Sequence, residues 1–235
     1  MNYYLMPFEV QPDHGFGLMG SFYCTSAEEL TKVAHFKTDW YSVFPVNFLR
    51  RHCIELFLKS GIILFHKKFK IDFENDSCES DPKVKLMNGS WELMRKIHNV
   101  GELYNRLNEL IKSQSEYLKK NTKTRWEFDP NFQKWIDKIN GYDSVSDYFR
   151  YPISRDPNKD KKKSIFHENT MEGIQKEMAS GKKIMALFVE NSDGEITKIY
   201  NQGSDTNDEL FVALEKASNE LYGFHAAVRA ELLGV

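Results

Sequence analysis

The chain has 235 residues, 41% of them hydrophobic, enough for a substantial core in one domain. Thirty-two basic and thirty-four acidic residues leave a formal charge of −2, which excludes a global field drawing the protein to nucleic acid or membrane, so any polyanion site has to be local. Charge interrupts every apolar run before the roughly 20 residues a membrane-spanning helix needs, the N-terminus MNYYLMPFEV lacks the basic start of a signal peptide, and the widely spaced Cys24, Cys53 and Cys78 suggest neither a disulfide framework nor a zinc site, so a cytoplasmic protein without metal or cofactor is expected.

Residues 1–22 pass from a short apolar stretch through Pro12, His14, Gly15 and Gly17, and predict a strand and then a loop with His14 at the surface. Thr25 or Ser26 is placed to cap a helix reaching about Trp40, with Glu28 and Glu29 favouring its N-terminal dipole. The longest apolar run follows, FPVNFLRRHCIELFLKSGIILFH at residues 44–66. Leu49, Cys53, Leu56, Phe57, Ile63 and Leu64 recur at helical offsets, while Ile54, Leu58, Ile62 and Phe65 carry apolar surface onto neighbouring faces. This is a core helix covered from more than one side, with Pro45 suited to its first turn. Arg51, Glu55 and Lys59 lie at i, i+4 and i+8 in one charged line, with His52 one position round. Two readings stand: a solvated edge held by pairs worth a few tenths of a kcal/mol each, or a polar pocket in which buried charges demand a network.

After His66 a polar loop contains Pro82 and Gly89, and its acidic residues lack the glycine and terminal glutamate of a calcium-binding loop. Ser90 is placed to cap a short helix carrying Trp91, Met94 and Ile97; a longer helix spans about 102–119, and another spans 131–139, ended by Asn140-Gly141. In SDYFRYP, Pro152 pushes Tyr151 toward extended geometry. A locally extended segment turns Phe149 and Tyr151 one way and Arg150 the other, toward Glu55 or an anion; the alternative is an aromatic-anchored turn with Arg150 in solvent. The run SRDPNKDKKKS reads as a solvated basic loop. Residues 171–179 predict a short helix, and residues 183–189 and 195–200 a hairpin turning at Asp193-Gly194, which needs a further layer from the N-terminal strand or a helix. Thr206 or Asn207 opens a final helix with Leu210, Leu214, Ala217, Leu221, Phe224, Val228 and Leu232 in one stripe, and His225 beside it as a boundary or core histidine.

Three of these stretches carry a resemblance. FPVNFLRRHCIELFLKSGI is similar to the YP-x-x-F-x-x-RHAIEL-x-LK helix of bacterial HEPN-like proteins, Lys96-Ile-His98 with Leu103 and Leu107 resembles their H-x-L-x-x-L helix, and Phe149-Arg150-Tyr151-Pro152 resembles their FRYP segment. The three occur in the family's order over residues 44–153. Together with the periodicities, the resemblance implies a mainly α fold in a single domain over 1–235. A HEPN-like helical bundle over about 25–153 would carry a hairpin and long helix over about 165–234, with a small β-hairpin or short sheet from the 183–200 region and possibly the N-terminus. It further implies a homodimer formed across the long helices.

Active ribonucleases of that family share an arginine followed, after four to six residues, by a histidine. None of His14, His35, His52, His66, His98, His167 and His225 has an arginine at that spacing, so the motif is absent in its usual form. A phosphate-binding glycine loop, HExxH, GxSxG and paired zinc doublets are absent as well. The binding candidates are Arg51, His52, Glu55, Lys59, Arg150 and Tyr151. Catalytic candidates are Arg51, His52 and His98, histidine moving a proton and arginine stabilising phosphate charge. The expected function is a non-catalytic RNA-, nucleotide- or partner-binding module in a bacterial defence or stress system. The alternatives are a metal-independent RNA nuclease with a non-standard Arg/His site, and a dimeric scaffold whose polar cluster only fixes helix register.

Overall fold

The computed structural model describes residues 5–32, 40–164, 166–181, 184–202 and 208–234. It divides into two compact units, Met1–Arg150 with Leu210–Val235, and Tyr151–Glu209. The chain is mainly helical, with two small antiparallel sheets. In the larger unit the long apolar run forms α2, Trp40–Phe69, and every residue from 53 to 66 is buried. A helix apolar on all faces has to be wrapped by others. The wrapping comes from α1 (Phe16–Thr31), α3 (Val100–Ser113) and the C-terminal helix α8 (Asp208–Ala227), which continues as a π-helical turn through Val228–Leu233. Pro45 lies inside α2 instead of in its first turn, because the helix begins earlier, at Trp40.

The N-terminal expectation needs correction. Among the described residues there is no strand before α1; a 3₁₀ turn at Phe8–Val10 leads into a helix that starts at Phe16, well before Thr25. Asp13 explains the early start. Its carboxylate accepts from the backbone N–H groups of Gly15 (3.2 Å) and Gly17 (2.7 Å), so the first turn is held despite its glycines. Gly17 also sets how closely α1 approaches α8, since a Cβ there would lie 2.0 Å from His225 Nε2. His225 is a core histidine, as its place beside the apolar stripe predicts. The segment predicted to finish the first helix, residues 33–39, lies outside the described residues.

Three further elements differ from expectation. The loop after α2 contains a hairpin of three-residue strands, β1 (Lys83–Lys85) and β2 (Trp91–Leu93), where a Ser90-capped helix was predicted; only a 3₁₀ turn, Met94–Lys96, is helical there. The helix predicted over 102–119 is split into α3, capped by the Asn99 side chain accepting from Glu102 N, and α4 (Ser115–Asn121). Helix α5 (Phe132–Tyr142) runs through Asn140-Gly141 and ends at Asp143.

The smaller unit opens with α6, a single turn at Pro157–Asp160. Its three-stranded sheet has the order β3-β5-β4, from β3 (Phe166–Asn169), β4 (Ala186–Glu190) and β5 (Ile196–Gln202). The β4–β5 hairpin turns at residues 191–194, with Gly194 at φ 79°. The layer it requires comes from β3 and from α7 (Met171–Ala179), whose Glu177 accepts from the Asn201 amide at 3.2 Å. The N-terminus contributes no strand to it among the described residues.

Candidate functional site

The charged line on α2 points inward. Arg51, Glu55 and Lys59 are 1%, 2% and 3% exposed, so the solvated-edge reading does not hold. Buried charges need both opposite charges and hydrogen bonds, and here both are supplied. Glu55 Oε2 accepts from Arg51 Nη1 at 3.2 Å, and Oε1 accepts from Lys59 Nζ at 2.8 Å and lies 3.0 Å from His98 Nδ1. Arg51 then reaches off its helix. Nη2 donates to the carbonyls of His98 (2.5 Å) and Asp143 (3.1 Å), and Nε donates to the Asp143 carbonyl at 3.3 Å.

One guanidinium therefore fastens α2 to the segment preceding α3 and to the end of α5. Asp143 passes the connection on: its Oδ1 accepts from the backbone N–H groups of Asp147 (2.8 Å) and Tyr148 (3.1 Å), setting the turn that carries Phe149 and Arg150. The first two stretches carrying the family resemblance meet at Arg51 and Glu55, through His98.

Burial alone raises the Glu55 pKa. The His98 hydrogen bond and the charges of Lys59 and Arg51 outweigh it and hold the carboxyl at about 2, so Glu55 is an anion throughout the neutral range. Because a carboxylate only accepts, His98 Nδ1 carries a hydrogen and donates it to Glu55. The His98 side chain is 38% exposed.

His52 leaves the line. Its ring stacks on Phe48 (centroids 5.8 Å apart) and meets the edge of Tyr23 at 4.7 Å, with Nδ1 buried and without a hydrogen-bond partner. Burial lowers its pKa, so the ring is neutral. Arg150 is exposed and lies 5.9 Å above the Phe48 ring. It does not pair with Glu55, whose oxygens are already occupied, and its segment is a turn, with Arg150 N donating to Asp147 O at 3.2 Å, instead of an extended stretch. Tyr151 is exposed and belongs to the smaller unit.

Arg51 and Lys59 thus spend their donors inside the molecule, while Arg150 and His98 present polar groups outward, with His52 set between aromatic rings. Asp143 is the member of this network that sequence reasoning missed. Its main-chain carbonyl does most of the work, and a carbonyl has no sequence signature; the only available hint was its place just after Asn-Gly-Tyr at a helix end.

A second buried cluster was also unforeseen. Asp13 Oδ2 accepts from Ser60 Oγ at 2.6 Å and lies 3.8 Å from His225 Nε2. Burial drives the Asp13 carboxyl up, but His225, Ser60 and the Gly17 amide together bring it below its ordinary value. Arg50, likewise buried, binds Glu215 of α8 at 2.8 Å and covers the Phe211 ring. These contacts seat α1 and α8 on α2. No group of His, Cys, Asp and Glu among the described residues is arranged to hold a metal ion, and no described helix is long and apolar enough to cross a membrane. No family model, curated protein or solved structure matches the chain.

Proposed function

We propose that this chain is a non-catalytic module that binds single-stranded RNA on the surface carrying His98, Arg150, Phe48 and His52, with the Arg51–Glu55–Lys59 network as the rigid frame beneath it. The observation that carries the reading is the division of the motif residues into a saturated interior and a basic, aromatic exterior. A cation over an aromatic ring that stacks on the His52 imidazole offers a phosphate contact and a π-face for a base, the two features sequence-tolerant RNA binding uses. With a net charge of −2 the protein relies on this local patch, so affinity should be modest and salt-dependent. The resemblance to HEPN-like proteins supports a place in a bacterial defence or stress system and a cytoplasmic setting.

The test is fluorescence anisotropy with a labelled single-stranded RNA at low salt. Arg150→Ala should weaken binding by about tenfold, in line with the ~1–3 kcal/mol of a stacking or charged contact, without lowering the melting temperature. His98→Ala should weaken it likewise and also lower the melting temperature, because the buried Glu55 carboxylate loses a hydrogen bond. A parent protein that leaves the RNA unbound at low salt rejects the proposal.

One observation favours a second reading. The Glu55 carboxylate on His98 Nδ1 is the arrangement that orients an imidazole as a general base, and it would serve a metal-independent RNA nuclease. Cleavage of RNA in EDTA, lost in His98→Ala, selects that reading.

A further inference from the structure

Among the described residues, the small sheet ends on a strand with no neighbour at its outer edge. Strand β4 neighbours β5 alone in the order β3-β5-β4, and Leu187, Phe188 and Val189 on it are each more than two-fifths exposed. The direction of its peptide groups follows from the register. Gln202 N donates to Met185 O at 2.9 Å while Ala186 lies opposite Asn201, so Met185 and Leu187 turn their peptide groups toward β5, whereas Ala186 and Phe188 turn theirs to the open edge. An apolar strand with a free row of donors and acceptors is a template for another strand.

We infer that β4 is a homodimer interface, on which a second copy of this chain adds its own β4 antiparallel, with the twofold axis at Phe188. The sequence of the strand is complementary to itself in that register. Phe188 exchanges both backbone hydrogen bonds with Phe188 of the partner subunit, and Ala186 faces the partner's Glu190. Leu187 and Val189 face each other across the closely spaced positions, forming two apolar cross-strand pairs.

Charge selects the direction. Glu190 is the last residue of the strand and its one charged residue. In-register parallel addition sets Glu190 against its own copy, whereas antiparallel addition sets it across from Ala186. The long helices, by contrast, have spent their apolar stripes within the chain: α2 is buried over its whole centre, and Leu210, Ala213, Leu214, Ala217 and Leu221 of α8 are at most 2% exposed. An isologous strand pair closes on itself and leaves no edge free for a third copy at β4.

The experiment uses the full chain. Sedimentation equilibrium over a wide concentration range should give a dimer mass that falls to the monomer mass in Phe188→Pro, which removes the outward N–H and no bond to β5, while the far-ultraviolet circular dichroism stays that of the parent. Mild oxidation should link Phe188→Cys into a covalent dimer, because facing residues in an antiparallel pair have Cα atoms about 5.5 Å apart, whereas Leu187→Cys, diagonal to its own copy at about 7–8 Å, should link far more slowly. The three native cysteines are buried and leave that readout clean. A parent that is monomeric at every concentration overturns the inference. So does a dimer that survives Phe188→Pro, or one that links at residue 187 as fast as at residue 188.

Discussion

The two units of the chain invert the usual placement of residues in opposite ways. The helical unit hides Arg50, Arg51, Glu55 and Lys59 in its interior, and the sheet unit leaves Leu187, Phe188, Val189 and Ile196 in view. Size accounts for both. A large unit surrounds α2 with enough elements that Arg50, Arg51, Glu55 and Lys59 each find an opposite charge, and Arg51 main-chain carbonyls as well. A three-stranded sheet with one short helix, α7, and the single turn α6 has too few elements to cover both faces and both edges. Interior charge in the first unit therefore acts as structure, and exterior apolar surface in the second is available for association.

The sharpest way to break this contrast is to remove one charge from the frame. Arg51→Ala strands the Glu55 carboxylate and the carbonyls of His98 and Asp143 without their donor, and losing one partner of a buried ionic network costs about 3–5 kcal/mol. A fall of that size in urea-unfolding stability is expected, whereas Leu187→Lys on the exposed strand should stay within about 0.5 kcal/mol in the monomer. A small loss at Arg51 would mean that the network is not the frame of the helical unit.

Acid sharpens the comparison next. Burial, joined by the charge of Arg106, holds the His66 ring at about 4; it is neutral, with Nδ1 on the Ile71 carbonyl at 2.7 Å and Nε2 facing Arg106 Nη2 at 3.1 Å. Its folded pKa is below the unfolded value of about 6.5, so the unfolded chain takes up the proton first, and stability that is complete above that value is lost as pH falls toward 4. Glu55 acts lower: its contribution is complete above its unfolded pKa of about 4.5 and is lost as pH falls toward 2. Each is worth on the order of 3 kcal/mol. Melting temperatures across this range should decline in two steps, and His66→Gln should flatten the upper step alone.

How much of this was legible depends on whether the information sat in side-chain spacing. The burial of α2, the line of Arg51, Glu55 and Lys59, the stripe on α8 and the Asp-Gly hairpin were all written as period or offset, and all of them appear in the fold. What stayed hidden was carried by main chain or by distant partners. The carbonyls that hold Arg51 have no residue identity, and the three-residue strands β1 and β2 are too short to show alternation. Asp13 caps α1 through a side chain that a glycine-rich stretch disguises as loop. Whether the charged line faced solvent or protein was also undecidable along one helix, because the answer lay in residues 98 and 143.

The smallest expected effect tests that disguised cap. Gly17 looks like a loop glycine, yet it is helical and lies against His225, and a Cβ there would stand 2.0 Å from Nε2 and 2.7 Å from Asp13 Oδ2. In a solvent-facing helix Gly→Ala stabilises by about 1 kcal/mol. Here the methyl group has to push the imidazole off the Phe57 ring, whose centroid lies 5.2 Å away, or pull Asp13 from the Ser60 hydroxyl and the Gly15 amide. Overpacking of this kind costs about 1–3 kcal/mol, so Gly17→Ala should lower the melting temperature where propensity alone would raise it. The sign is the readout, and a stabilised variant would show that α1 and α8 can separate by the width of a methyl group at no cost.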